Sequence, residues 1–231
     1  YEHYRSLGKP VVIIDAGALE REVTWKIAVN NITSEGYYGH TDNLDWDRPQ
    51  KLGISLRQTD LNDKILIAGQ HDKSLQWEGM PDLGTYAVQT IRQVQKYTDR
   101  PILMRFHPRC QPFIPHHRFK MLLQNENLYN CDIEIPKPVV NTYDVFDIDY
   151  AFHTVINHCS GPGINAVIAG SNVLVDKKSL AYPMSIKLKQ IENPPKKRNK
   201  DQWLVEISHT EYTVDEIAEG LWLTRLKNAL E

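Results

Sequence analysis

The chain has 231 residues, 41% of them apolar and 24% charged, and a formal net charge of −2. That length and apolar content can fill one large core or two small ones, and the charge balance argues against a generally basic nucleic-acid-binding protein. No apolar run approaches the roughly 20 residues that span a bilayer, no signal peptide is recognisable, and the odd set Cys110, Cys131 and Cys159 lacks the spacing of a metal knuckle, so reduced thiols and a cytoplasmic location are expected.

Lys9 to Asp15 is a continuous apolar run of strand length that ends in an acid. From Tyr37 to Leu61 Gly, Asp, Asn and Arg accumulate without periodicity, which predicts irregular connection. Lys64 to Gly69 and Pro101 to Phe106 read as further buried strands. Between them, Thr85 to Tyr97 sets Tyr86, Val88, Ile91, Val94 and Tyr97 at near-helical spacing. Asn130 to Ile135 is another short strand, Tyr143 to Phe152 a turn or short helix, Val155 to Asn157 a buried strand, Gly163 to Ala169 a helix and Val173 to Asp176 the strand after it. Asn193 to Lys200 is a proline breaker followed by a basic, solvated loop. Gln202 to Ser208 and Val214 to Leu230 read as amphipathic closing helices, the second opened by a capping box, Thr213-Val-Asp-Glu216. Alternation of this kind predicts an α/β fold with a doubly wound parallel sheet.

The chemistry concentrates at two strand ends. Period-two alternation places Arg105, His107 and Arg109 on one face of a strand terminus, and Ser160-Gly161-Pro162-Gly163 opens a helix at another. The carboxyl ends of parallel strands line the ligand crevice, so cations and turn should converge. Backbone N–H groups, a helix dipole and two or three cations suit a diphosphate or a nucleoside monophosphate leaving group on which charge builds. Asn165, in the first helical turn, is a candidate for ribose or base, Gln70 ends a neighbouring strand, and Lys178 and Ser179 follow the last one.

Each of these residues also has a plain structural reading. Asp15 can cap the next segment, His107 can bond to backbone, Gly161 and Gly163 can serve only a tight turn, and Lys177 and Lys178 can be solvated. Trp25, Trp46 and Trp77 read as core or rim packing. His116 and His117 lack an acidic or cysteine partner at ligand spacing, so no metal is expected. A dinucleotide fingerprint, a Walker motif and a Gly-x-Ser-x-Gly elbow are all missing.

The order Asp15-Ala-Gly-Ala-Leu-Glu-Arg21, Ile65-Leu-Ile-Ala-Gly-Gln70, His107-Pro108 and Ser160 to Gly170 resembles the two-Rossmann-domain (GT-B) glycosyltransferases. Within that class it is most similar to capsule-type transferases with 3-deoxy-octulosonate or sialate donors. More diffusely, Trp203-Leu204 and Thr213 to Gly220 resemble phage-encoded proteins, among them DNA-modifying glycosyltransferases. The resemblance implies a GT-B-like fold whose first Rossmann-like domain is reduced or truncated: residues 1–60 a partial acceptor-side segment, 61–190 the donor domain, and 191–231 a basic loop with closing helices. It implies a glycosyltransferase that moves a sugar from a nucleotide-sugar co-substrate to a hydroxyl, with no tightly bound cofactor. Asp15 is then the candidate general base, standing alone because Ala16 replaces the second acid of the motif. Arg105, His107, Arg109, Ser160, Gly161, Gly163, Asn165, Gln70, Lys178 and Ser179 would hold the donor.

The phage-like resemblance favours, by a small margin, a hydroxymethylated pyrimidine in duplex phage DNA as acceptor, in the host cytoplasm, with phosphate contacts expected from Lys196, Lys197, Arg198 and Lys200. The alternatives are a surface glycan as acceptor, or a non-catalytic sugar-nucleotide-binding protein.

Overall fold

Ile65 to Ala68 carry no polar alternation because the strand they form is buried on both faces. The computed structural model describes residues 2–108, 116–134, 136–138, 140, 146–195 and 199–231. Its elements are, in chain order, α1 (Glu2–Ser6), β1 (Val12–Ala16), β2 (Thr24–Val29), α2 (Arg48–Lys51), β3 (Asn62–Ala68), α3 (Leu83–Val94), β4 (Ile102–Arg105), α4 (His116–Asn125), β5 (Cys131–Glu134), β6 (Lys137–Pro138), β7 (Phe146–Asp147), β8 (Phe152–Asn157), α5 (Gly161–Ile168), β9 (Asn172–Val175), α6 (Lys200–Ser208), β10 (Glu211–Thr213), α7 (Val214–Ala218) and α8 (Leu221–Leu226).

Five strands form an all-parallel sheet in the order β5-β4-β3-β8-β9. Alternate residues of β3 feed two cores. Ile65 and Ile67 pack with Val88, Ile91 and Phe119 of α3 and α4. Leu66 and Ala68 pack with Ile164, Val167 and Leu204 of α5 and α6. Asp82 caps α3 by accepting from Thr85 N at 3.0 Å, which satisfies one of the N–H groups left open at a helix start.

The expected parallel pairing does not extend to the first 60 residues. There β1 and β2 run antiparallel, and β10, from residues 211–213, completes a three-stranded sheet in the order β1-β2-β10. The β1-to-β2 connection is too short for a crossover helix, so only antiparallel pairing is open to it. The single closing helix expected over Val214 to Leu230 is also corrected, because Gly220 adopts φ 75° and breaks it into α7 and α8. The capping box is present, with Thr213 Oγ1 accepting from Glu216 N at 3.3 Å and Glu216 Oε2 from Thr213 N at 2.9 Å. In place of a turn or short helix, Phe146–Asp147 pairs with Lys137–Pro138 as a two-stranded antiparallel ribbon, and residues 143–145 lie outside the described ones. No described helix is long and apolar enough to cross a membrane.

Candidate active site

The strand order reverses between β3 and β8, whose chains continue to opposite sides of the sheet, and a crevice opens at their carboxyl ends. A cavity of about 500 Å³ lies there. Its floor is Ala68 and Gly69 at the end of β3, Arg105 to Pro108 at the end of β4, and Ser160-Gly161-Pro162 at the head of α5. Gly17 to Arg21, from the β1–β2 loop, form one wall, Gly53 to Arg57 a second, and Phe146 with Ile148 to Tyr150 a third.

Asn157, the last residue of β8, fixes the turn before α5. Its Nδ2 donates to Ala68 O at 2.9 Å and to Ser160 Oγ at 3.1 Å, and its Oδ1 accepts from Ser160 N at 2.9 Å. No side chain caps α5, so the positive end of its dipole is left to the cavity. Gly161 makes room for the opposite wall, because a Cβ there would stand 3.2 Å from Ala18 Cβ.

That wall is itself held from β10. Glu211 is fully buried, and its carboxylate accepts from Ala18 N at 2.7 Å, Leu19 N at 3.0 Å and Thr24 Oγ1 at 2.7 Å. Gly17 is required beside it, since a Cβ would come within 2.3 Å of Thr24 O and 2.5 Å of Glu211 Oε2.

Of the residues singled out in the sequence, Arg105, His107, Ser160, Gly161 and Asn165 meet at this cavity. Arg105 is heavily committed. Its guanidinium pairs with Glu134 at 2.6 Å, donates to Asp149 O at 3.2 Å and lies over the Tyr150 ring. His107 packs edge-on to His71 at 5.2 Å between ring centroids.

Gln70, Gly163, Lys178 and Ser179 are not in the lining. Gln70 is buried and ties Ser74, Gln76 and Cys159 N together. Gly163 admits the Val175 side chain, whose Cγ1 would be 3.0 Å from an added Cβ. Ser179 is buried, its Oγ accepting from Ala181 N, and the Lys178 carbonyl accepts from Ser34 N. Asp15 lies on the three-stranded sheet, exposed and opposite Lys26 in register, outside the cavity lining. Arg109, Lys196, Lys197 and Arg198 fall outside the described residues, while Lys200 Nζ donates to Gly170 O at 3.4 Å. Among the described residues no three His, Cys, Asp or Glu side chains gather as a metal site.

Sequence reasoning passed over Glu20, Arg21, Arg57, Asp149 and Tyr150, all of which line the cavity. Glu20 and Arg21 sit inside the motif quoted above, and their charge was the available signal. Arg57 comes from an aperiodic stretch, and its N–H bond to Ile168 O, at 2.8 Å, together with the packing of Ile54 and Leu56, carries it to α5. Cys159, beside the turn, is buried, and burial pushes its thiol up to about 11, which disfavours the thiolate at neutral pH.

The chain matches no protein-family model and no curated protein. Among solved structures it is similar to KpsC of Thermosulfurimonas dismutans, a beta Kdo 2,7 transferase. The TM-score is 0.52 at 16% identity, over 96% of this chain and 78% of that one. The chain shares its fold with a glycosyltransferase.

Proposed function

We propose that the protein transfers a sugar from a nucleotide donor to a hydroxyl group of a glycan. The observation that carries this reading is the uncapped head of α5 facing a 500 Å³ cavity at the point where the strand order reverses. A leaving nucleotide phosphate gathers charge as its bond to the sugar breaks. The α5 dipole, the guanidinium groups of Arg21 and Arg57 and the imidazole of His107 around the same cavity suit that charge. Arg105 supports the site through its bonds to Glu134 and the Asp149 carbonyl, which tie β4, β5 and the 148–150 wall together. A glycan acceptor is preferred to DNA because the solved structure that shares this fold is a beta Kdo 2,7 transferase.

Calorimetry with CMP, UDP and their sugar derivatives tests the reading. The wild type should bind at least one of them, and His107→Ala should weaken that binding by about 1–3 kcal/mol, the range of a charge-assisted hydrogen bond. Absence of binding to the whole panel would sink the proposal.

A further inference from the structure

Transfer to a hydroxyl needs a group that takes the hydroxyl proton as the new bond forms, placed at an edge of the site that an acceptor can reach. Two carboxylates line the cavity among the described residues, Glu20 and Asp149. Asp149 is engaged: its Oδ1 accepts from Ala151 N at 2.9 Å, and its backbone carbonyl accepts from Arg105. Glu20 is exposed, and no described residue bonds to its carboxylate.

What is held is the Glu20 backbone. Its N–H donates to Thr24 Oγ1 at 3.2 Å, and its carbonyl accepts from Thr24 N at 2.9 Å. Thr24 in turn donates from Oγ1 to the buried Glu211, which also holds the two residues before Glu20, Ala18 and Leu19, by their N–H groups. Ala18 abuts Gly161, at the head of α5. A carboxylate that no described residue engages, on a clamped backbone at the same cavity as the turn before α5, fits a proton acceptor.

The geometry points to Glu20 as the general base of the transfer, with Thr24 and Glu211 as its positioning residues; this rests on the glycosyl-transfer reading. In the step, the acceptor oxygen forms its bond to the anomeric carbon and its proton passes to a Glu20 oxygen. The bond from the anomeric carbon to the phosphate oxygen breaks, and its electron pair leaves with the nucleotide at the α5 head.

The test follows nucleotide release from a panel of CMP- and UDP-sugars in the presence of glycan acceptors. Glu20→Gln should lower kcat by about 10²–10⁴-fold, the usual contribution of a positioned base, and leave donor KM within about two-fold. Thr24→Val should lower kcat by about ten-fold, and Thr24→Ser should restore it, a rescue that loss of bulk packing would not give. A Glu20→Gln enzyme with wild-type kcat overturns the assignment, as does a loss of that size in Asp15→Asn or Asp149→Asn with Glu20→Gln near wild type. A wild type that releases no nucleotide from any donor overturns the glycosyl-transfer reading itself, and the role of Glu20 with it.

Discussion

The two sheets of this molecule are stabilised by different means. Among the described residues, seventeen buried apolar side chains pack on each face of the five-stranded sheet, against four beneath the three-stranded one, Ile27, Val29, Tyr212 and Leu226. The large sheet therefore coheres through apolar mass. The small sheet depends on polar latches. Besides the Glu211 carboxylate, Arg48 donates from Nε to Ser208 O at 2.7 Å, pairs with Glu216 at 2.7 Å and donates to Glu211 O at 2.6 Å. The cavity lies where the two meet, with a rigid floor from one and a polar-held wall from the other.

Three substitutions sharpen or break that contrast. Ile67→Ala, in the middle of the large sheet, should cost about 4 kcal/mol in denaturant unfolding, because neighbours packed from two helices cannot collapse into the gap. A cost under about 1 kcal/mol would mean the floor is not held by its core.

Arg48→Ala should cost about 3 kcal/mol, the low end for removing one partner of a largely buried pair. It should do so with a pH signature. Burial alone would raise the Glu216 carboxyl, but hydrogen bonds from Arg48 and Thr213 hold it below its usual range. A carboxyl depressed in the folded state adds stability that is complete above its unfolded pKa and is lost as pH falls through the folded one. The penalty of Arg48→Ala, measured by thermal melts across acidic pH, should therefore shrink as pH falls. A penalty that does not change with pH would detach the latch from Glu216.

Thr213→Ala removes the hydroxyl that caps α7 and should cost about 1 kcal/mol. Equilibrium unfolding detects a change of that size, and no change would show that the cap adds nothing to what packing and the Arg48–Glu216 pair already give α7.

The same contrast explains what could be read in the chain. Strands buried on both faces declare themselves as apolar runs, and Ile65 to Ala68, Ile102 to Met104 and Val173 to Val175 were legible for that reason. β2 was not, because Thr24-Trp-Lys-Ile mixes a buried lysine and threonine with an exposed tryptophan. β10 was hidden by its length of three residues and by a buried Glu211 whose partners lie nearly 200 positions away. At the site, the turn before α5 and the β4 end were visible as local motifs, since glycine, serine and cations sit together in sequence. The wall from Gly17 to Arg21 was visible as a motif but not as a shape. Which of its acids meets the cavity is decided by Glu211 and Thr24, not by spacing from the strand. Arg57 reaches α5 through a loop with no periodicity, so no local pattern could assign it.

Placing Glu211 after every strand of the parallel sheet also sets an order of events during synthesis. Residues 62–175 leave the ribosome before β10 does, so the large sheet can close its cores while Ala18 and Leu19 still lack their acceptor. A nascent chain stopped short of residue 211 would carry a finished turn before α5 but an unfinished wall. It would then hold the floor of the cavity before the wall that faces it, and the last strand made would be the one that completes the cavity.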